Sequence, residues 1–342
     1  QPSLMLLRNQ EMVATYIYDW STEPHNGHVV VSRSTDGGET WDLEGRVLKE
    51  KPPSSTYSMP ATRLTDGTLI GIGQMNRFDD AHPVTINVET YGHVPSRLFL
   101  ARSSDGARTW QGPDYFEPPL EGPSWEICHS VLELSDGRLL IPTATWRGWD
   151  GESPSGEQTV AFISDDGGKT WPRHGVIFDG RESGLTHWEK SVVQLHDGRL
   201  LAVAWVYDTA TGETHPSVYA ISEDRGETFS QPSETGFMAQ TCKMIQLRDG
   251  RILAVYRRHD QPGLWAGLSC LDGDRWINLA DAAVWQGADS GMAGSRGAQE
   301  LTELKFGYPS SAQLPSGDAL TLFWCEEDGA MQIRWTRLGV EG

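Results

Sequence analysis

The chain has 342 residues and a formal net charge of −19 at pH 7. A surface this acidic excludes nucleic acid and anionic membrane as natural partners, because both are held by basic patches. Hydrophobic residues make up 38% of the chain, enough for one large domain over 1–342, and no stretch is long and apolar enough to span a bilayer. Cys128, Cys242, Cys270 and Cys325 show no C-x-x-C spacing and read as small buried hydrophobes. The histidines His82, His93, His129, His187 and His259 are irregularly spaced, so neither a metal nor a cofactor is expected. The chain begins at Gln1 rather than Met; compartment and oligomeric state stay open.

Two repeats alternate along the chain. The first is a Leu-x-Asp-Gly turn between short apolar, β-branched runs: Leu64-Thr65-Asp66-Gly67, Leu134-Ser135-Asp136-Gly137, Leu195-His196-Asp197-Gly198 and Leu247-Arg248-Asp249-Gly250. Leu7-Arg8-Asn9-Gln10 and Leu314-Pro315-Ser316-Gly317 are altered copies. Asp-Gly between such runs predicts a hairpin with a type I′ turn. The second repeat starts at Ser32-Arg33-Ser34-Thr35-Asp36-Gly37-Gly38-Glu39-Thr40-Trp41 and recurs at Ser103–Trp110, Ser164–Trp171 and Ser222–Phe229, with a degenerate copy at Ser269–Trp276. Its pattern S-x-D-x-G-x-T-W resembles the Asp-box of sialidase-type β-propellers. A repeat of about 50–60 residues is itself the mark of a closed or stacked architecture.

Six hairpins predict six blades, over 1–49, 50–117, 118–178, 179–234, 235–285 and 300–342. The expected fold is all-β, a six-bladed β-propeller with Asp-box repeats. The last blade is short. Its third strand is expected near Gln332–Arg337, with a fourth supplied by a segment before Gln1 or else missing. Gly287–Gln299 reads as a small, polar loop. Antiparallel order puts the Asp-Gly and Asp-box turns on one face, and the starts of the first strands on the other. A pocket belongs on the second face, so Asp36, Asp105, Asp166 and Asp224 are read as turn-fixing residues rather than catalytic ones.

Six residues before each hairpin Leu lies one register at the channel mouth: Ser58, Cys128, Glu189, Thr241 and Tyr308. Glu189 and Tyr308, in the fourth and sixth blades, are the chemically suggestive pair. The stretches Thr186-His187-Trp188-Glu189-Lys190 and Phe306-Gly307-Tyr308-Pro309-Ser310-Ser311 look like the corresponding blades of exo-sialidases. That family uses a Tyr nucleophile with a Glu that helps take its proton, and the pairing makes physical sense: a phenol titrates near 10 and needs a base to become a nucleophile. The plainer reading is a channel-lining phenol on water and a Glu paired to a neighbouring cation.

For the acid, the resemblance implies an Asp on a long loop. Tyr57-Ser58-Met59-Pro60-Ala61 looks like the family's F-R-I-P-A stretch and points to Asp79 or Asp80. Counting blades back from Tyr308 points instead to Asp19. Glu126, in Trp125-Glu126-Ile127-Cys128-His129, is a further carboxylate on the pocket face. The family holds a sugar carboxylate with three Arg side chains. The first is absent here: Ser58 stands in its place by one count and Gln1 by the other. Arg257 sits in the register of another, with Arg77, Arg147 and Arg258 on the same face. His187 and Trp146 complete the candidate substrate-binding set.

The resemblance therefore implies an exo-acting glycoside hydrolase that releases a terminal acidic sugar, a sialic acid or related nonulosonic acid, from a glycan. If Tyr308 only stabilises charge, Glu126 or Glu189 would activate water and the reaction would invert configuration. Other readings stay open: an exo-arabinanase-like hydrolase, a uronate lyase using His187, Tyr308 and Arg257, or a non-catalytic glycan-binding propeller.

Overall fold

The computed structural model describes residues 1–8, 10–19, 27–49, 54–258, 260–287 and 304–340. Every regular element among them is a β-strand, and the strands form six consecutive antiparallel sheets, the blades of a six-bladed β-propeller. The first sheet runs Ser3–Leu6, Met12–Asp19, Gly27–Ser34, Asp42–Arg46. In the second, Ser54–Ser58 and Ala61–Arg63 both pair with Leu69–Arg77, followed by Ser96–Ser103 and Gln111–Tyr115. In the third, Ser124–Glu126 and Leu132–Glu133 pair with Leu139–Trp146, followed by Gln158–Ser164 and Arg173–Asp179. The fourth is Leu185–Gln194, Leu200–Asp208, Glu213–Ser222, Ser233–Glu234, and the fifth Ala239–Gln246, Ile252–Arg258, Leu264–Asp272, Arg275–Trp285. The sixth has three strands among the described residues: Phe306–Gln313, Ala319–Glu327 and Ala330–Leu338. The loop read over Gly287–Gln299 lies, from residue 288 on, outside the described residues, as does His259.

Two compact units can be told apart: 1–155 with 162–174, and 156–161 with 175–342. In the first, Met5, Val13, Val29 and Val31 of one sheet pack on Met59, Leu69 and Phe99 of the next. In the second, Leu201, Val203 and Ile221 meet Cys242, Met244, Tyr256 and Trp276, and a further cluster joins Leu253 and Val255 to Phe306 and Phe323. Each such side chain contributes about 1.5–3 kcal/mol on burial. The four cysteines are unpaired; Cys128, Cys242 and Cys325 are buried and Cys270 is half-buried.

The Leu-x-Asp-Gly hairpins differ from the type I′ turn predicted. In Leu64–Gly67 only Gly67 is left-handed (φ 99°). The Gly67 N–H donates to the Leu64 carbonyl (2.9 Å), and the Leu64 N–H to the Thr68 carbonyl (2.8 Å). This is a type I turn closed by a left-handed Gly in a bulge. Asp66 needs no positive φ because its Oδ1 accepts the Thr68 N–H (2.8 Å) and fixes the turn from outside. The same bonds recur at Leu134, Leu195 and Leu247. An ordinary backbone at the second turn residue leaves its N–H free to reach the neighbouring blade. Thr65 N–H donates to Glu133 Oε2 (2.5 Å), His196 N–H to Gln246 Oε1 (2.7 Å) and Arg248 N–H to Gln313 Oε1 (2.9 Å). Each acceptor stands immediately before the next hairpin Leu, and Gln246 and Gln313 also donate Nε2 to their own turn's Gly carbonyl (3.0 and 2.9 Å).

The four good Asp-boxes close as the repeat predicts. In the second, Asp105 Oδ1 accepts from Ser103 Oγ (2.8 Å) and the Thr109 N–H (2.9 Å), and Oδ2 from Thr109 Oγ1 (2.6 Å). Ser103 Oγ also accepts the Ala107 N–H (2.9 Å). Asp36, Asp166 and Asp224 make the equivalent bonds to Thr40, Thr170 and Thr228. The degenerate fifth copy is instead a two-residue hairpin, with Asp272 paired to Arg275 and Leu271 to Trp276.

The Thr109 hydroxyl and N–H hold the Asp105 carboxyl down at about 2. A depressed folded pKa stabilises above the unfolded value and is lost as pH falls through the folded one. Asp105→Asn is therefore expected to melt below the parent at neutral pH. That gap should close as pH drops from about 4, the unfolded value, toward about 2. Thermal melts across that range test this; a gap independent of pH would show that the charge is irrelevant to the turn.

Candidate active site

The register read six residues before each hairpin Leu is visible in the second unit as one repeated backbone feature. Glu189, Thr241 and Tyr308 have φ of 51°, 51° and 47°. Each sits where its first strand slips register against the second, between Trp188 and Ser191, Gln240 and Lys243, and Gly307 and Ser310. A left-handed residue at a bulge re-aims its side chain out of the strand's alternation. For a β-branched Thr such a φ is an outlier, a strain of about 1–3 kcal/mol that the surroundings must sustain.

Around this register the side chains gather. Glu189 is buried, and its Oε2 accepts the Thr241 backbone N–H (2.7 Å). Arg257 is 1% exposed. Its Nε and Nη2 donate to Gln240 Oε1 (3.0 and 2.7 Å), and its Nη1 to the Phe306 carbonyl (2.8 Å). Burial pulls the guanidinium below its ordinary pKa, while the Glu189 carboxylate and, when ionised, the Tyr308 phenol act to raise it. One buried cation thus interacts with both members of the predicted pair. Gly307 makes room for it: a Cβ there would lie 3.0 Å from Arg257 Nη1 and 3.6 Å from Thr241 Oγ1, at a φ of 152° that side chains avoid. Two polar atoms here have no hydrogen-bond partner although buried, Gln240 Nε2 and Thr241 Oγ1. Sequence reasoning placed Thr241 in register without a role and missed Gln240. Its signal was positional: Gln240 is the cross-strand partner of Arg257.

The other residues predicted in this unit are committed elsewhere. Arg258 is forked onto Asp260 (2.8 and 2.5 Å), bonded to Asp281 (2.8 Å) and laid over the Trp265 ring at 4.7 Å. With Phe237, Met238 and Tyr256 it lines a separate cavity of about 410 Å³. His187 stacks on Phe178 with centroids 5.1 Å apart. Burial drives its pKa down to about 4 against the pull of Asp179, so it is neutral at pH 7. Trp205 and Tyr207 are buried in an aromatic cluster with Trp188.

In the first unit the register position Ser58 donates Oγ to Gln1 Oε1 (2.6 Å), and Gln1 Nε2 donates to the Cys128 carbonyl (2.7 Å). The two residues proposed by rival counts for the first Arg position are thus bonded to each other. Asp79 lies on the excursion after Leu69–Arg77. Its Oδ1 accepts His82 Nδ1 (2.7 Å) and the N–H groups of His82 (2.9 Å) and Ala81 (3.0 Å). His82 holds its carboxyl below the usual range, opposite to what a general acid near neutral pH requires. Asp80 is exposed and Glu126 is buried. Arg77 is exposed at the end of its strand, and its N–H donates to the Pro95 carbonyl (3.0 Å). Trp146 Nε1 donates to the Tyr91 carbonyl (2.7 Å), the Arg147 carbonyl accepts the His93 N–H (2.9 Å), and His82 meets Trp149 edge-on at 5.1 Å. The excursion is therefore tied to the segment carrying Trp146, Arg147 and Trp149. Asp19 ends its strand in the first sheet.

A family model described as a BNR repeat-like domain matches residues 82–322. A sialidase of Bacteroides fragilis is 26% identical over 223 residues, which is 59% of this chain and 37% of that relative's length. Among solved structures, a Dyadobacter fermentans protein of unknown function superposes with a TM-score of 0.76 at 21% identity, covering 99% of this chain and 94% of that one. An intramolecular trans-sialidase from Ruminococcus gnavus, in complex with oseltamivir carboxylate, gives 0.66 at 14% identity, covering 99% and 94%. At these identities the structural likenesses carry the fold, and the sequence match carries the kinship. Asp-boxes, six blades and the matched segment lead to one assignment: this chain belongs to the BNR repeat-like family of the sialidase superfamily.

Proposed function

We propose that the chain is an exo-acting glycoside hydrolase of sialidase type, releasing a terminal acidic sugar such as a sialic acid from a glycan. The observation that supports this most is the buried Arg257 guanidinium interacting with both Glu189 and Tyr308. A cation at that point lowers the cost of a phenolate and of a carboxylate together. Glu189 takes the phenol proton, and the Tyr308 oxygen bonds to the anomeric carbon as the glycosidic C–O bond breaks. The leaving oxygen is protonated by an acid; of the two Asp proposed, Asp79 is engaged by His82, which leaves Asp80. Water then attacks the anomeric carbon and gives its proton to the carboxylate that had served as the acid, as the bond to the Tyr308 oxygen breaks and the phenolate takes its proton back from Glu189. In this scheme Arg257 acts on the protein's own nucleophile and base.

The Ser58–Gln1 pair supports a second reading. Neutral hydrogen-bonding groups at the position of an expected Arg suit a sugar whose carboxylate is absent or differently held, as for an exo-arabinanase-like hydrolase. A panel of fluorogenic glycosides separates the two.

On the best sialoside, Glu189→Gln is expected to lower kcat by about 10²–10⁴, the usual worth of a positioned base, and Tyr308→Phe to remove most turnover. Full activity in Tyr308→Phe would take the phenol out of the reaction. Arg257→Met leaves Glu189 as an uncompensated buried carboxylate, and a loss of about 3–5 kcal/mol in urea unfolding at neutral pH is expected. That loss should shrink on acidification, because a raised folded pKa lets protonation relieve it. An Arg257→Met protein as stable as the parent would show that the cation is not coupled to the pair.

A further inference from the structure

The cavity of about 410 Å³ beside Arg258 lies between the fifth sheet and the segment that leads into it, and its size is that of a small-molecule site. Gly267 helps to open it. Its backbone is not left-handed, so no turn demands a glycine there. A Cβ at that point would instead lie 3.1 Å from the Tyr256 hydroxyl oxygen. Tyr256 is 2% exposed, and its ring stacks on Phe237 with centroids 4.8 Å apart. Its hydroxyl reaches the cavity wall and makes no hydrogen bond among the described residues. A buried polar group left so costs about 1–3 kcal/mol, which a ligand in the cavity would relieve. Beside it Arg258 gives Nε and Nη2 to Asp260 and Nη1 to Asp281 Oδ2. A guanidinium has more N–H donors than these three bonds use. Asp281, cross-strand partner of Gly267, keeps Oδ1 for a further bond on a half-exposed side chain.

We propose that this cavity is a second binding site, for a neutral sugar unit, apart from the Glu189–Tyr308 pair. One cation there faces two carboxylates, so the wall is net negative on a chain whose formal charge is already −19. An anion, an acidic sugar included, is turned away. A simple amine would use acceptors alone and would have to share the space with the Arg258 charge. Burial, with Asp281 and Asp260 nearby, pushes the Tyr256 phenol above its ordinary pKa, so it stays protonated and can donate. Sugar hydroxyls donate and accept at once. They match a wall that offers both, with Tyr256 O–H and Arg258 N–H to give and Asp281 Oδ1 to take. The apolar face of a sugar ring would meet Met238 and the exposed Leu279, on the same cavity. This site does not depend on the hydrolase reading, because none of its groups takes part in the proposed reaction.

The test is a binding titration on the full chain, read at the methyl NMR signal of Met238 and assigned by its loss in Met238→Leu. The probes are glucose, galactose, mannose, arabinose and N-acetylglucosamine, with galacturonate and methylammonium as charged controls. At least one neutral sugar is expected to shift the Met238 signal saturably, and galacturonate is expected to leave it in place. Tyr256→Phe keeps the ring on Phe237 and removes only the hydroxyl, so binding should weaken by about 3–10-fold, the worth of one hydrogen bond. Asp281→Asn should weaken it by a similar factor, and it stands in if the phenylalanine variant does not fold. Tyr308→Phe should bind as the parent does. The proposal is overturned if no neutral sugar gives a saturable shift, if neither Tyr256→Phe nor Asp281→Asn weakens it, or if galacturonate or methylammonium binds as tightly as the best sugar. Loss of the shift in Tyr308→Phe would place the sugar at the other site and overturn it too. Because no turnover is measured, failure of the hydrolase reading leaves this result intact.

Discussion

The candidate site depends on one buried charge. Arg257 is withdrawn from solvent, and a guanidinium there is stable only if its donors are bonded and its charge is answered. Gln240 across the strand and the Phe306 carbonyl take the donors; the Glu189 carboxylate answers the charge. The fourth, fifth and sixth blades each contribute to that arrangement. Gly307 is a glycine because anything larger would press on the cation from a left-handed backbone.

How much of this is legible in the sequence depends on range. An Asp-box is closed by bonds between residues two to four apart, so its spelling is its structure, and blade number and boundaries follow from counting copies. The hairpins are legible as turns but not in type, because Asp-Gly fits both a type I′ turn and a type I turn with a Gly bulge; the bond from Asp66 to Thr68 chooses the second. The register of Glu189, Thr241 and Tyr308 could be read because its distance from the hairpin Leu is kept from blade to blade. What Arg257 and Arg258 do could not. Both lie on one strand at the predicted face, yet the first turns in to Gln240 and the second out to Asp260 and Asp281. That outcome rests in part on Gln240 and Asp281, 17 and 23 residues away along the chain. The 78–95 excursion has no repeat to be read against, and the hold of His82 on Asp79 appears only once the turn is formed.

Strain marks the same place from another direction. Among the described residues few non-glycine positions have positive φ, and three of them share one register. Tight turns account for others, such as Asp328 beside Gly329 in the last hairpin. Inside a strand there is no turn to justify the conformation. The cost is met by the core packed on either side, chiefly the aromatic and aliphatic clusters of the second unit, and what it secures is direction: a carboxylate, a buried hydroxyl and a phenol set by backbone geometry rather than by loose rotamers.

The Glu and Gln side chains that stand before Leu134, Leu247 and Leu314 carry a different lesson. A turn whose second amide is tied to the following blade cannot be complete until that blade has arrived. Folding order and resistance to unfolding are then properties of adjacent pairs, in the manner of linear arrays where each module leans on the next. Damage to one such Gln would loosen the preceding turn together with its own, so each of these ties couples a blade to the one before it in the chain.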